Sequence, residues 1–150
     1  MDENELRKTY LDLQDIPCSF EKIILSGRCG CGNAQKFNLA EREGISCASQ
    51  SAQLSCSEFL RLVHEHARFA LHLTHITGPL PHAKEIKVQG GGLMGLRQTL
   101  DPDSESKSVD DIYALITDAK NRFGALAEIP MEEVIRSISH YQGRSVRPAP

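Results

Sequence analysis

The sequence predicts an all-α fold: a small irregular helical domain of about six helices, with cysteine-bearing loops and helix N-termini in its N-terminal half. Three observations predict it. Apolar residues recur mostly three and four positions apart, as on one face of an α-helix. Few segments alternate apolar and polar residues as a half-buried strand does. Glycines, prolines and capping residues divide the chain into helix-sized segments.

The first three helices are predicted before residue 45. One is expected over residues 4–14. A second is expected over 17–27, because the ring of Pro17 suits the first helical position and glycine at the other end stops the helix. A third is expected over 33–43, because Asn is a good N-cap and Gly44 is a natural stop.

The longest predicted helix begins between Ser49 and Ser55 and ends near Ile76. Ser55 and Glu58 have the spacing of a capping box, in which each side chain bonds a free backbone N–H of the first turn. The residues that follow form an apolar stripe at about 100° per residue, which predicts a core-facing helix. The stripe comprises Phe59, Leu62, Val63, Phe69, Ala70, Leu73 and Ile76.

The second half of the chain contains no cysteine. A short extended segment is expected over residues 85–88, followed by a glycine-rich loop. Ser108 is a suitable cap for a helix over 109–123, and Pro130 opens a last helix that ends near Gly143.

We expect a single domain, residues 1–150, with two lobes. Residues 1–100 would form a cysteine-containing metal-binding lobe, and residues 108–143 a C-terminal helical lobe. The polar stretch between them is the best internal linker.

The charge balance excludes some classes of function. Seventeen basic and twenty acidic residues give a net charge of −3 and a pI near 6.1, which argues against a nucleic-acid binder or a polybasic membrane binder. No apolar run approaches the ~20 residues of a membrane span, and the acidic N-terminus is unlike a secretory signal. We therefore expect a soluble, cytoplasmic protein, in which cysteines bind metal more often than they form disulfides.

All five cysteines lie in the first 56 residues: Cys18, Cys29, Cys31, Cys47 and Cys56. Their spacing, Cys-x10-Cys-x-Cys-x15-Cys-x8-Cys, matches neither the common ferredoxin patterns nor a zinc knuckle. They fall in predicted loops and at helix starts, where free N–H groups favour a thiolate. Arg28, Lys36 and Arg42 could offset the charge of a bound anionic cluster.

We therefore expect an iron–sulfur cluster, [4Fe-4S] in preference to [2Fe-2S], with zinc as the alternative metal. Because five cysteines exceed four ligand positions, one of the two in the Cys-Gly-Cys loop is surplus. The sequence-based choice of ligands is Cys18, Cys29, Cys47 and Cys56, with Cys31 in reserve.

Two other interpretations of the cysteines remain open. They could be small buried apolar residues in a helical adaptor that binds no metal. Cys29 and Cys31 could instead form a thiol-redox pair, in which one attacks and the other resolves.

Two further patterns favour structural roles. His66 projects into the apolar stripe and is expected to be a hydrogen-bonded core histidine; it is the first to test if a fourth ligand is not cysteine. Residues 90–95 formally match Gly-x-Gly-x-x-Gly, but no second strand follows, so we expect a tight connection that lets backbones pack closely.

The sequence thus predicts a cysteine-ligated iron–sulfur protein that acts in electron transfer or redox sensing as an accessory to a larger system. Four cysteine ligands leave no open position for substrate, and no motif for nucleophilic or metallopeptidase catalysis occurs, so a role other than catalysis is favoured. A protein redox partner is expected, without nucleic acid or a membrane span. The oligomeric state is left open.

Overall fold

The computed structural model describes residues 3–13, 16–73 and 77–141. In those ranges the chain is mostly helical, as predicted, but it also contains a two-stranded antiparallel sheet. The elements are α1 (Glu3–Leu13), α2 (Glu21–Leu25), β1 (Ala34–Leu39), β2 (Arg42–Cys47), α3 (Gln50–Ala70), α4 (His82–Leu100), α5 (Ile112–Phe123) and α6 (Met131–Val134), with 3-10 turns at Leu126–Glu128 and Ile135–Ser137. No helix within the described ranges is long and apolar enough to cross a membrane.

The hairpin of β1 and β2 replaces the helix predicted over 33–43, and that prediction was wrong. The register runs from Ala34 opposite Cys47 to Leu39 opposite Arg42. Gly44 is not a helix stop: it lies opposite Phe37, whose ring occupies the space that a Cβ would need. Glycine is required here because an aromatic side chain crosses the neighbouring backbone.

Helix α3 begins earlier than the predicted capping box. Ser49 is its N-cap, and the Ser49 hydroxyl accepts a hydrogen bond from the N–H of Ala52 at 3.2 Å. Glu58 does not cap the helix but pairs with Arg61 at 2.7 Å. The buried face consists of Ala52, Cys56, Phe59, Val63 and Ala67.

The lower part of the predicted stripe differs from the structure. Phe69 is 79% exposed, because it lies two positions beyond buried Ala67 and so turns away from the core. Ile76, at the predicted helix end, lies outside the described residues. Helix α3 ends at Ala70, and Leu71 is its C-cap.

Helix α4 corrects two predictions, the extended segment over 85–88 and the glycine-rich loop over 90–95. Both lie inside one continuous helix, so the Gly-x-Gly-x-x-Gly match is not a loop between a strand and a helix. The predicted close packing does occur, but on a helix face. A Cβ on Gly91 would lie 2.5 Å from Cα of Ile138, and one on Gly95 would overlap the Val134 carbonyl.

Helix α4 lies at the centre of the fold, where its glycines let neighbouring elements approach closely. It packs against α2, α3, α5, α6 and the turn at Ile135–Ser137. Leu93 and Leu96 are fully buried in the core that these helices share. The proposed division into two lobes stays a prediction.

The C-terminal elements are shorter than predicted. Helix α5 is capped by Asp111, which accepts from the N–H of Ala114 at 3.3 Å, and not by Ser108. It ends at Gly124, whose φ of 86° is left-handed. The predicted last helix reduces to α6 and the 3-10 turn that follows it.

Candidate metal centre

Four of the five cysteines line one small cavity. They are Cys18, Cys31, Cys47 and Cys56. The remaining wall is mostly apolar and includes Phe20, Ile24, Ala34, Ala52, Ile112 and Tyr113. The four thiols come from four segments: the turn before α2, the turn before β1, the end of β2 and the second turn of α3.

The hairpin brings three of these cysteines together. The N–H of Cys47 donates to the carbonyl of Ile16 at 2.7 Å, and the N–H of Cys18 donates to that of Ile45 at 3.4 Å. The segment that carries Cys18 is therefore paired with the end of β2. On the other side of Cys47, the register places Ala34 opposite it, and the N–H of Ala34 donates to the carbonyl of Cys31 at 3.1 Å.

Helix α3 supplies Cys56, the most buried of the four, at 8% exposure. It lies in the second turn of the helix, not at the helix start that the sequence suggested, because the helix begins at Gln50. The free N–H groups of the first turn therefore do not reach it, and its thiol points from the apolar face into the cavity.

Cys29 lies apart from this group. Its segment forms a short parallel pairing with Val109: the N–H of Gly30 donates to the Val109 carbonyl at 2.9 Å, and the Gly30 carbonyl accepts from Ile112 at 2.9 Å. The structure thus groups Cys31 with the other three cysteines and separates Cys29, the reverse of the sequence-based choice. The two residues also lie in different electrostatic surroundings.

Burial raises the pKa of the Cys29 thiol, although the N–H of Val109 and the nearby Arg97 guanidinium act in the opposite direction. Burial likewise raises the pKa of Cys31, and hydrogen bonds from the N–H groups of Asn33 and Tyr113 partly offset it. Both thiols are protonated at neutral pH when no metal replaces the proton.

The raised pKa values of Cys18 and Cys56 indicate that the cavity disfavours a thiolate whose charge is not neutralised. Burial raises the pKa of Cys18 to about 11, and repulsion from Cys31 and Cys47 adds to the increase. A hydrogen bond from the N–H of Phe20 acts in the opposite direction. Burial raises the pKa of Cys56 to about 12, with added repulsion from the other three cysteines. A metal would supply the positive charge that the cavity lacks.

The raised pKa values of Cys18 and Cys56 predict how the metal-free, reduced protein responds to alkali. Since both folded-state values exceed the ordinary 9.0, the unfolded chain loses its protons first. Stability is then full below about pH 9 and falls as the pH rises toward 12, by on the order of a few kcal/mol. Urea unfolding between pH 8 and 10.5 measures the loss.

The control is a Cys18→Ala, Cys56→Ala double variant. Its unfolding free energy should change much less over the same interval, because the two most strongly shifted thiols are gone. An equal alkaline loss in both proteins would contradict the assignment of this pH dependence to the cavity.

No histidine of the described residues lines the cavity. His66 is half-buried and does not line it. His64 instead bonds Glu85 of α4 at 2.9 Å. His72 is exposed and has a left-handed φ of 56°, and His75 lies outside the described residues.

Sequence reasoning missed several residues of the site. Tyr113 and Asp111 approach Cys31 from α5, and neither carries a metal-site signal in the sequence. Gln89 of α4 bonds the turn beside Cys18. These contacts join residues far apart in the chain, so no local pattern could have indicated them.

No protein-family model, curated protein or solved structure matches the chain.

Proposed function

We propose that this protein binds an iron–sulfur cluster through Cys18, Cys31, Cys47 and Cys56, and that it acts in electron transfer or redox sensing as an accessory to a larger system. The observation that carries the proposal is the convergence of four thiols from four separate segments on one apolar-walled cavity. Four cysteine thiolates are the usual ligands of both [4Fe-4S] and [2Fe-2S] clusters.

We propose a cluster in preference to a single ion, as the sequence-based expectation has it. In residues 3–13, 16–73 and 77–141, no three His, Cys, Asp or Glu side chains are grouped as ligands of one ion. A tetrahedral zinc site draws its sulfurs to ~2.3 Å from a common centre, whereas in a [4Fe-4S] cluster each cysteine sulfur bonds a different iron atom. The preferred form stays [4Fe-4S], and binding it requires the four segments to move apart, because the cavity has a volume of only about 20 Å³.

Backbone hydrogen bonds support a redox role. The N–H groups of Phe20, Asn33 and Tyr113 donate to cavity thiols. Hydrogen bonds to cysteine sulfur, together with low solvent access, tune the reduction potential of a cluster. With four protein ligands, no position is left for substrate, so electron transfer fits better than substrate activation. The proposal includes a protein redox partner and a cytoplasmic location.

Anaerobic purification followed by iron and acid-labile sulfide analysis tests the proposal. We expect a brown protein with equal amounts of iron and sulfide, about four of each per chain for [4Fe-4S] and about two for [2Fe-2S]. Zinc without sulfide would replace the cluster with a structural metal site. A colourless, folded, metal-free protein with five titratable thiols would contradict both and favour the helical adaptor.

A mild oxidation assay addresses the thiol-redox alternative. That interpretation requires Cys29 and Cys31 to lose two thiols together as a disulfide. Because the structure places the two side chains in different surroundings, we expect the metal-free protein to retain a free Cys29 thiol under such conditions. Peptide mapping identifies the residues oxidised.

A further inference from the structure

Two polar side chains are buried on the face of α4 that lies toward α2 and the Cys18 turn. Gln89 is 3% exposed and Glu85 is 9% exposed. Burial of a polar group destabilises a fold unless hydrogen bonds replace those lost to water. The partners of these two residues therefore indicate what they do.

The amide of Gln89 bonds both sides of the turn that follows Cys18. Its nitrogen donates to the carbonyl of Ser19 at 3.3 Å, and its oxygen accepts from the N–H of Ile23 at 3.2 Å. Phe20, the N-cap of α2, offers no side-chain cap, so Gln89 satisfies a first-turn N–H from another helix. Ser19 is adjacent to Cys18, whose sulfur lines the metal cavity.

Glu85 and His64 hold Gln89 in that orientation. The Gln89 nitrogen also donates to Oε1 of Glu85 at 2.9 Å, and His64 Nε2 lies 2.9 Å from the same oxygen. Burial alone would raise the pKa of Glu85, but hydrogen bonds from His64 and Gln89 outweigh it and lower the pKa. A charged acceptor makes these hydrogen bonds stronger than neutral ones.

We infer that Gln89 is a positioning residue of the metal centre: it fixes the turn of residues 19–23 so that Cys18 is held in the cavity. The inference rests on the proposed function only in calling the site a metal centre. The hydrogen bonds that fix the turn belong to the chain itself. The hydrogen bonds run from α3 through α4 to the turn, so three elements share in placing one ligand.

The test uses Gln89→Met, which keeps the side-chain volume and removes the amide. The matched control is Gln98→Met on the same helix, where the amide is exposed and its oxygen accepts from the Ser137 hydroxyl at 3.1 Å. In the metal-free protein, the alkylation rate of Cys18 by iodoacetamide is followed by peptide mass spectrometry. In the loaded protein, the midpoint potential and the EPR spectrum of the reduced cluster are measured.

We expect Cys18 of Gln89→Met to be alkylated roughly fivefold to tenfold faster, because the hydrogen bonds to Ser19 and Ile23 are lost. The midpoint potential and EPR spectrum should shift as well, and Gln98→Met should change none of the three. A folded Gln89→Met with wild-type Cys18 reactivity and potential would overturn the inference. If that variant does not fold, Glu85→Gln should give a smaller change in the same direction, and no change in it would overturn the inference equally.

The two readouts separate this inference from the proposed function. If the wild type contains no iron but Gln89→Met makes Cys18 more reactive, the cluster is refuted and the role of Gln89 in fixing the turn is supported. A wild-type protein with iron, unaffected by Gln89→Met in either readout, would refute the role of Gln89 and leave the cluster intact.

Discussion

Cys31→Ser is expected to lose its iron, whereas Cys29→Ser should keep the iron content of the wild type. Cys31 shares the cavity with the other three cysteines, while Cys29 does not line it and lies on the segment paired with Val109. Serine is nearly the same size as cysteine but cannot supply the thiolate that an iron–sulfur cluster prefers. Iron and sulfide per chain after anaerobic purification should fall at least about tenfold in Cys31→Ser.

Cys47→Ser and Cys56→Ser should behave as Cys31→Ser does, since both sulfurs line the same cavity. Circular dichroism of each variant separates loss of metal from loss of fold. The ligand set would be wrong if Cys29→Ser lost iron and Cys31→Ser retained it. Equal iron in all four variants would remove the basis for the cluster.

Gly95→Ala should destabilise the protein by about 2–4 kcal/mol, measured by urea unfolding. A Cβ at this position would overlap the carbonyl oxygen of Val134 and lie 2.7 Å from its carbonyl carbon. Both atoms belong to backbone, which cannot swing aside as a side chain can. The gain of about 1 kcal/mol in helix propensity from glycine to alanine offsets only part of the effect.

Gly92→Ala is the matched control on the same helix. Its added Cβ would meet Cγ1 of Val63 at 3.0 Å, a side-chain atom that can shift by a few tenths of an ångström. Since the propensity gain is the same for both substitutions, the difference between them isolates the backbone overlap. A Gly92→Ala variant as unstable as Gly95→Ala would contradict the packing explanation.

The helices with an apolar face could be predicted from the sequence, and the hairpin could not. The buried face of α5, with Ile112, Leu115, Ile116 and Ala119, has regular helical spacing. Strand β1 instead alternates little: its middle residues include Gln35 and Lys36, side by side and both exposed. The turn that joins the strands is Ala40-Glu41, which lacks the Asn-Gly or Asp-Gly signal of a tight hairpin, although Ala40 takes a φ of 54°.

Helix α4 was mispredicted for the opposite reason. Glycines within 90–95 disfavour a helix in isolation by about 1 kcal/mol each, so local propensity predicted a loop. The structure places them where Tyr141, Ile138 and Val134 approach the helix closely. Packing against distant residues overrides local propensity here, and a single sequence does not contain that information.

The candidate site was also only partly predictable from the sequence. The sequence indicated that its cysteines lie near turns and element ends, because glycine and capping residues surround them. It could not distinguish Cys29 from Cys31, because their directions depend on the pairing of Gly30 with Val109, nearly eighty residues away in the chain. The role of Gln89 could not be predicted either, because nothing in the sequence indicates which turn a glutamine side chain will bond.

The wall that α5 contributes has a consequence for biosynthesis. All four cavity cysteines leave the ribosome well before Ile112 and Tyr113, which close one side of the cavity. A nascent chain that ends before Val109 also lacks the residue with which Cys29 pairs outside the cavity. The separation of Cys29 from the four cavity cysteines is therefore established only after residues 109–113 have been synthesised.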